Sequence, residues 1–240
     1  MERIISPSAE ALAQRAAGLI ADFIRANPGK LICFAAGDTP LETYAELITL
    51  QRAGELDLNS MYYAGLDEWV GLSYEDRGSC MQVMHDGFYA PAGISEGRMH
   101  VFDGLGDPAQ QCRQMQQWID SRGGIALTVL GIGMNGHIGF NEPPATDAPG
   151  CLVVDLDDTT RAVSVKYFDR PLPVEKGITV GLAELMKAQR MILMATGERK
   201  RQIVKATAEG PMAPDVPSSM LQDQRGLTAL FDEAAAALLS

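Results

Sequence analysis

The sequence predicts an α/β fold with a doubly wound, mostly parallel sheet that has helices on both faces, as in Rossmann-like proteins. Amphipathic segments with helical periodicity alternate along the chain with short apolar segments that are typical of buried strands. The chain has 240 residues, 46% of them hydrophobic and 21% charged, which is enough to bury one large core. No internal repeat or low-complexity linker divides it, so we interpret residues 1–240 as a single domain.

The helices are predicted from apolar residues that recur every three to four positions, and the strands from short apolar runs bounded by turn signals. In chain order, the predicted helices cover residues 9–26, 40–53, 80–89, 108–121, 182–188 and 198–209, with a short alanine-rich helix at the end. The predicted strands begin at Leu31 and Tyr62 or cover residues 125–130, 178–181, 191–196 and 227–231. This alternation is typical of strand-helix-strand units in a parallel sheet.

A glycine-rich turn after the predicted strand at residues 125–130 carries an imidazole and a carboxylate. The turn, residues 131–143, includes His137 and Glu142. Ligand crevices of open α/β sheets lie beyond the carboxyl ends of the strands, and glycines let the backbone approach a small substrate closely. The two side chains are therefore candidates for one pocket, although a hydrogen-bonded packing histidine in a tight loop explains the pair equally well.

A second strand end adds two adjacent carboxylates. The strand that begins at Tyr62 runs into Asp67 and Glu68. Because adjacent residues of an extended strand point to opposite faces, we expect one carboxylate to face the crevice and the other to cap or pair locally.

A third strand end leads into a helix start. The strand at Leu31 is followed by Gly37 and then by Thr39, Pro40 and Glu42, which form a capping-box pattern with proline at the first helical position. Free backbone N–H groups at such a helix start favour a bound anion, notably phosphate. Many helices begin in this way without binding anything, so the pattern is weak evidence when taken alone.

Together these segments resemble the glucosamine-6-phosphate deaminase family, also called glucosamine-6-phosphate isomerases. The turn at residues 131–143 matches the family signature Gly-x-Gly-x-(Asp or Asn)-Gly-His-(Ile or Leu)-(Ala or Gly)-(Phe or Leu)-Asn-Glu-Pro without a gap. Residues 66–69 match the family's Leu/Met-Asp-Glu-(Tyr or Trp) motif, and residues 37–40 match its Gly-x-Thr-Pro turn. The resemblance continues through residues 160–161, 177–179, 196–200 and 217–222, so it covers essentially the whole domain.

The resemblance implies roles for four residues near the crevice. Asp67 resembles the base that takes a proton from C2 of the open-chain sugar and delivers one to C1, while His137 resembles the ring-opening residue. Glu142 would orient and polarise the imidazole. Family members often have a second carboxylate two residues before the histidine, where this chain has Asn135. We therefore expect the protonation balance of His137 to differ from that of members with aspartate.

The resemblance also implies a phosphate site. Family members hold the 6-phosphate with the backbone of the Gly-x-Thr-Pro turn, which here is Gly37, Asp38 and Thr39, and with two cationic side chains, which match Lys166 and Lys200. Lys166 replaces an arginine and so loses the bidentate fork. Asp38 replaces a small residue; it either points outward beside the helix start, the interpretation that we favour, or alters the choice of substrate.

The predicted activity is the conversion of a hexosamine 6-phosphate to a ketose phosphate and ammonia without a cofactor. Glucosamine 6-phosphate is the first choice, and galactosamine 6-phosphate is an alternative because its isomerases look similar at residues 66–70 and 170–179. A 6-phosphogluconolactonase-type hydrolase is less favoured, since those enzymes lack the Asn-Glu-Pro ending. A non-enzymatic sugar-phosphate sensor is also less favoured, since such regulators carry an N-terminal DNA-binding segment.

Composition disfavours several other classes of protein. The formal net charge of −11 disfavours nucleic acid or an anionic membrane as a partner. The four cysteines and three histidines are dispersed, which predicts neither a metal site nor a disulfide framework. The N-terminus has no apolar signal core and no run approaches membrane-spanning length, so we expect a cytoplasmic protein. Oligomeric state varies within the family, and a homo-oligomer is left open.

The stretch at residues 143–173 contains several prolines and glycines and is predicted to be irregular. It is too long for a plain connection, so we interpret it as a candidate lid over the site.

We expect no allosteric activation. Allosteric family members bind an activator phosphate with serines just after the Asn-Glu-Pro turn and with basic residues further along. This chain instead has Ala145, Thr146 and an apolar run at residues 152–154 that looks like an ordinary strand. N-acetylglucosamine 6-phosphate should therefore leave the rate unchanged, and the rate should depend hyperbolically on substrate concentration. A sigmoidal curve that this compound straightens would contradict the expectation.

Overall fold

The computed structural model describes residues 1–170 and 172–240. Its strands are β1 (Glu2–Ser6), β2 (Leu31–Phe34), β3 (Tyr62–Gly65), β4 (Asp67–Trp69), β5 (Met99–His100), β6 (Ile125–Gly131), β7 (Cys151–Asp155), β8 (Lys176–Val180), β9 (Arg190–Ala195) and β10 (Leu227–Asp232). Its α-helices are α1 (Ala9–Ala26), α2 (Asp38–Arg52), α3 (Cys80–Met84), α4 (Pro108–Ser121), α5 (Asp158–Ser164), α6 (Leu182–Leu185), α7 (Arg201–Glu209) and α8 (Glu233–Ala236). Short 3-10 and π segments join several of them.

Seven parallel strands form the central sheet in the order β1-β10-β9-β6-β2-β3-β5. A second sheet of three antiparallel strands, in the order β4-β8-β7, lies at the carboxyl side of β3, because β4 follows β3 after a single residue. The predicted doubly wound, mostly parallel α/β fold is confirmed.

The central sheet is buried on both faces. In β2, Ile32 and Phe34 pack with apolar residues of α1 and α2, whereas Leu31 and Cys33 pack with residues of α4, α6, α7 and α8. Strands covered on both faces are apolar at every position, as the burial of all four β2 residues illustrates. The near-continuous apolar runs seen in the sequence therefore follow from this double cover.

The direction of winding reverses between β2 and β6. The chain places β3 and β5 on one side of β2, then returns through α4 to place β6 on the other side. A crevice opens at such a switch point because the connections leave the two strands in opposite directions. The loops after β2 and β6, which contain Gly37 and the turn at residues 131–143, therefore border one crevice.

The first turn of α2 differs from the prediction. The helix begins at Asp38 and not at Pro40, its N-cap is Gly37, and no side chain caps it. Thr39 Oγ1 instead lies 2.9 Å from Thr196 Oγ1, so the predicted capping box is wrong. Gly37 has φ +148°, which lets the chain enter the helix two residues earlier than the pattern suggests. Pro40 still falls in the first turn, where a helix needs no N–H donor.

The candidate lid is less irregular than predicted. The stretch at residues 143–173 contains strand β7 and helix α5, so the prediction of an irregular segment is wrong for these parts; residue 171 lies outside the described residues. The apolar run at residues 152–154, which resembles an ordinary strand, lies within β7 at the edge of the small sheet. The edge strands β1 and β5 escaped the sequence pattern because they are only partly buried. In the described part of the chain, no helix is long and apolar enough to cross a bilayer.

The glycine-rich turn after β6 is anchored by a buried amide and an aromatic pair. Asn141 Nδ2 donates to the carbonyl oxygens of Ile138 at 2.7 Å and Val180 at 3.0 Å, and its Oδ1 accepts from the Leu182 N–H at 2.8 Å. Phe140 packs on Trp69 of β4 with ring centroids 4.5 Å apart. The turn is therefore fixed to β4 and β8, two of the three strands of the small sheet.

Replacing this amide should destabilise the protein. Asn141→Ala leaves the buried Leu182 N–H without an acceptor and removes one of the donors to each of two carbonyls, which keep the Asn141 N–H and Thr179 Oγ1 as partners. We therefore expect a loss of about 1–3 kcal/mol in the free energy of unfolding. Denaturant melts can measure it. Asn59→Ala is the control, because Asn59 also bonds Gly93 and Ser95 but lies where water can replace it; this change should cost less than about 1 kcal/mol. Equal losses would contradict the anchoring role.

Candidate active site

Asp67 lies where β4 begins, at the edge of the crevice. Its side chain is half-buried, and Oδ1 has no hydrogen-bond partner among the described residues. Burial raises the pKa of Asp67 to about 7, a shift that the positive charge of His137 and the thiol of Cys80 partly oppose. The carboxylate is thus near its midpoint at neutral pH and can take or give a proton.

Glu68, the next residue, is held by backbone donors. Its carboxylate is almost completely buried and accepts the backbone N–H groups of Trp69 at 2.8 Å, Cys80 at 2.9 Å and Met81 at 2.7 Å. Burial raises the pKa of Glu68 to about 7, although these three donors act in the opposite direction. One of the two acids was expected to cap or pair locally, and Glu68 does so at the first turn of α3.

His137 is held by its Nδ1 atom. Glu142 Oε2 lies 3.2 Å from Nδ1, and Thr160 Oγ1 on α5 lies 3.0 Å from it. Burial would raise the pKa of Glu142, but the hydrogen bond and charge of His137, with donors from Thr160 and Asn135, hold it below its usual value. An ionised carboxylate can only accept, so Nδ1 carries the proton and Nε2 is the free acceptor of the neutral ring.

Asn135 connects the imidazole to a second carboxylate. Its Nδ2 donates to Glu142 Oε2 at 2.8 Å and lies 3.3 Å from Asp157 Oδ1, and its Oδ1 accepts from the His137 backbone N–H at 3.2 Å. Asp157 is the N-cap of α5 and accepts from the Thr159 N–H at 2.8 Å. The turn and the candidate lid thus meet at these groups.

The residues that are expected to bind the phosphate lie close to one another. Lys166 Nζ lies 2.9 Å from Asp38 Oδ2, and Lys200 Nζ donates to the carbonyl of Ile132. Burial, together with the nearby charge of Lys166, lowers the pKa of Lys200 to about 8. Asp38 is largely exposed, yet it is paired with the candidate lid.

Sequence reasoning missed four contributors to this site. Thr160 and Asp157 contact the histidine and Asn135, Thr196 contacts Thr39, and the Ile132 carbonyl holds Lys200. Thr160, Thr196 and Ile132 lie within segments that resemble the family, which was the available signal. Asp157 lies outside those segments, and its role depends on a contact between distant parts of the chain.

Gly133 leaves room for the imidazole ring of His137, and a substitution here tests whether the position of the ring matters. A Cβ at this position would overlap the ring of His137, so Gly133→Ala must displace the ring from Glu142 and Thr160. We expect kcat/KM for the activity proposed below to fall by roughly tenfold to a hundredfold, with a nearly unchanged melting temperature. Gly97→Ala is the control, since a Cβ there meets nothing within 4 Å. Unchanged kinetics would show that the ring position does not matter.

Comparison with known proteins shows the family to which the chain belongs. The family model described as "Glucosamine-6-phosphate isomerases/6-phosphogluconolactonase" matches residues 6–230. A glucosamine-6-phosphate deaminase of Rhodopirellula baltica is 38% identical over 237 residues, which cover 98% of this chain and 94% of the relative. A glucosamine-6-phosphate deaminase of Halothermothrix orenii is 36% identical over 241 residues, which cover 100% of this chain and 100% of the relative.

Solved structures agree as well. A monomeric glucosamine-6-phosphate deaminase superposes with a TM-score of 0.95 at 33% identity, over 99% of this chain and 100% of the other. A 6-phosphogluconolactonase from Leishmania guyanensis superposes with a TM-score of 0.79 at 19% identity, over 100% of this chain and 98% of the other, so it shares the fold. The chain therefore belongs to the glucosamine-6-phosphate isomerase and 6-phosphogluconolactonase family.

Proposed function

We propose that the protein converts a hexosamine 6-phosphate and water into fructose 6-phosphate and ammonia, with glucosamine 6-phosphate as the first choice of substrate. The observation that carries the proposal is Asp67, a half-buried carboxylate with a pKa of about 7 beside the bonded pair of His137 and Glu142. The deaminases that resemble the chain over its full length support the same activity.

Ring opening is assigned to His137. The closed sugar opens when a proton leaves the anomeric hydroxyl and another reaches the ring oxygen, which needs a group that accepts and donates near neutral pH. The free Nε2 can perform both steps, because Glu142 and Thr160 hold the opposite edge of the ring. Glu142 also stabilises the imidazolium that forms when Nε2 takes the proton.

Isomerisation is assigned to Asp67. In the open-chain amino aldose, Asp67 takes the C2 proton, the electrons of that bond form a C1–C2 double bond, and the aldehyde oxygen at C1 gains a proton. Delivery of a proton to C1 then moves the double bond to C2 and its nitrogen, which gives a protonated imine. Water adds to C2 of this imine, a proton passes from the added oxygen to the nitrogen, and ammonia leaves to give the 2-ketose while the remaining proton returns to solvent. A carboxyl group with a pKa of about 7 suits both proton transfers to and from carbon.

The 6-phosphate is assigned to the groups at the other end of the crevice. The first turn of α2 presents the backbone N–H groups of Asp38 and Thr39, and Lys166 and Lys200 supply positive charge. Because burial lowers the pKa of Lys200 to about 8, its ammonium form and the phosphate affinity that depends on it should decline as the pH rises through that value.

The experiment that tests the proposal is ammonia release measured on glucosamine 6-phosphate and galactosamine 6-phosphate side by side, with hydrolysis of 6-phosphogluconolactone as a third assay. Faster release from glucosamine 6-phosphate is expected, and faster release from its C4 epimer would reassign the substrate. Lactone hydrolysis alone would overturn the deaminase assignment, and no turnover would favour a sensor. We place the activity in the cytoplasm and leave a homo-oligomer open.

Asp67→Asn tests the proton-transfer step. The amide has nearly the same shape but cannot act as a base, so turnover should fall about a hundredfold or more while the substrate still binds. Exchange of solvent deuterium into C1 and C2 should disappear together with turnover. Exchange at the wild-type rate would show that another group moves these protons.

A further inference from the structure

Asp157 lies on the candidate lid and not on the catalytic turn, yet a hydrogen-bonded amide joins it to the histidine. Asn135 has two amide hydrogens, and its Nδ2 lies 2.8 Å from Glu142 Oε2 and 3.3 Å from Asp157 Oδ1. Its oxygen accepts the backbone N–H of His137 at 3.2 Å. All the hydrogen-bonding atoms of this side chain are engaged, which fixes its orientation between the imidazole and Asp157.

We propose that Asp157 is a positioning residue that supplies the second carboxylate of the His137 relay, through the amide of Asn135. The catalytic meaning of the relay rests on the function proposed above, whereas the contact itself does not. Where the chain has an amide at position 135, the negative charge is present 22 positions further along, at Asp157. The pKa of Asp157 is lowered by its bonds to Thr159 and, to a smaller extent, by Asn135 and the charge of His137.

Helix capping alone does not explain why residue 157 is an aspartate. Its Oδ1 accepts from the Thr159 N–H at 2.8 Å, which is an N-cap bond. Asparagine caps helices about as well as aspartate does, and serine caps nearly as well. Asp157→Asn therefore keeps a capping oxygen and removes the charge, which separates the two roles.

Three carboxylates act on the imidazole from three elements. Glu142 on the turn bonds it directly, Asp67 at the start of β4 interacts with its charge, and Asp157, the N-cap of α5, reaches it through Asn135. Thr160 on α5 adds an uncharged partner. Because two carboxylates remain when Asp157 loses its charge, we expect a partial effect on the proton affinity of the ring.

The test follows the imidazole signal of His137 by NMR as the pH is varied, with the signal assigned by its absence from His137→Gln. In Asp157→Asn the titration midpoint should fall by about half a pH unit relative to wild type, since an opposite charge that favours the imidazolium has been removed. Asp157→Ser, which also keeps a capping oxygen, should give the same shift. Asp158→Asn is the matched control, because Asp158 is the next residue and is 90% exposed; it should leave the midpoint unchanged.

A charge swap provides the second measurement. Asn135→Asp alone places a third carboxylate against Glu142 and Asp157 and removes both amide donors, so it should lower the melting temperature. Asn135→Asp combined with Asp157→Asn restores two carboxylates, and the His137 midpoint should return towards wild type. A shift in Asp157→Asn no larger than that in Asp158→Asn, or a double variant that stays at the Asp157→Asn value, would overturn the proposal.

The role of Asp157 and the proposed deaminase activity can be overturned independently of each other. The NMR titration needs no substrate, so it can support or overturn the role of Asp157 even if ammonia release is never observed. If the protein is a deaminase, the histidine-dependent limb of the kcat/KM profile should move to lower pH in Asp157→Asn, in parallel with the NMR midpoint. A limb that moves while the NMR midpoint stays fixed would assign the kinetic effect to another group and would overturn the inference.

Discussion

The reversal of winding between β2 and β6 is the constraint on which the site depends. It brings the helix start after β2 and the turn after β6 to one crevice, while β3 delivers Asp67 to the same edge. None of these segments could form a site alone, because each contributes one kind of group: backbone donors, an imidazole or a buried acid. Covering both faces of the sheet with helices makes the strands rigid, which holds the three strand ends in fixed relative positions.

Two neighbouring acids have different roles because their hydrogen-bond partners differ. Asp67 and Glu68 are both buried enough to have pKa values near 7, but Glu68 accepts three backbone N–H groups whereas Asp67 Oδ1 has no partner among the described residues. A carboxylate with satisfied acceptors is held in place and acts as a structural link to α3. One with an unsatisfied oxygen remains available to a proton on a bound molecule.

Much of the fold could be predicted from local patterns. Helix α1 has the predicted bounds, residues 9–26, because a regular apolar stripe coincides with a serine cap whose oxygen accepts from the Ala11 N–H. The start of α2 could not be predicted, since the side chain of Thr39 bonds to Thr196, 157 positions away, and does not cap the helix. The turn at residues 131–143 was recognisable because its glycines and its histidine lie close together in the sequence.

The hydrogen-bond partners of that turn could not be predicted from local patterns. Thr160 and Asp157 lie 23 and 22 positions from the residues that they contact, on a helix that had been predicted as part of an irregular stretch. Periodicity indicates which face of a helix or strand is apolar, but it does not indicate which polar side chain will contact a distant loop. The sequence therefore identified the acids and bases of the candidate site but not the hydrogen bonds that orient them.

Helix α5 touches both ends of the crevice, and the two contacts differ in strength. At its start, buried Thr160 and half-buried Asp157 bond to the histidine and its asparagine, and removing such contacts leaves polar groups unsatisfied. Beyond its end, Lys166 pairs with Asp38, but the two side chains are 50% and 76% exposed, so this ion pair stabilises the protein by about 0–1 kcal/mol. An incoming phosphate at the proposed site can therefore replace Asp38 at little cost while the start of the helix stays attached to the histidine. This asymmetry would let the phosphate end of the site open and close without disturbing the groups that move protons.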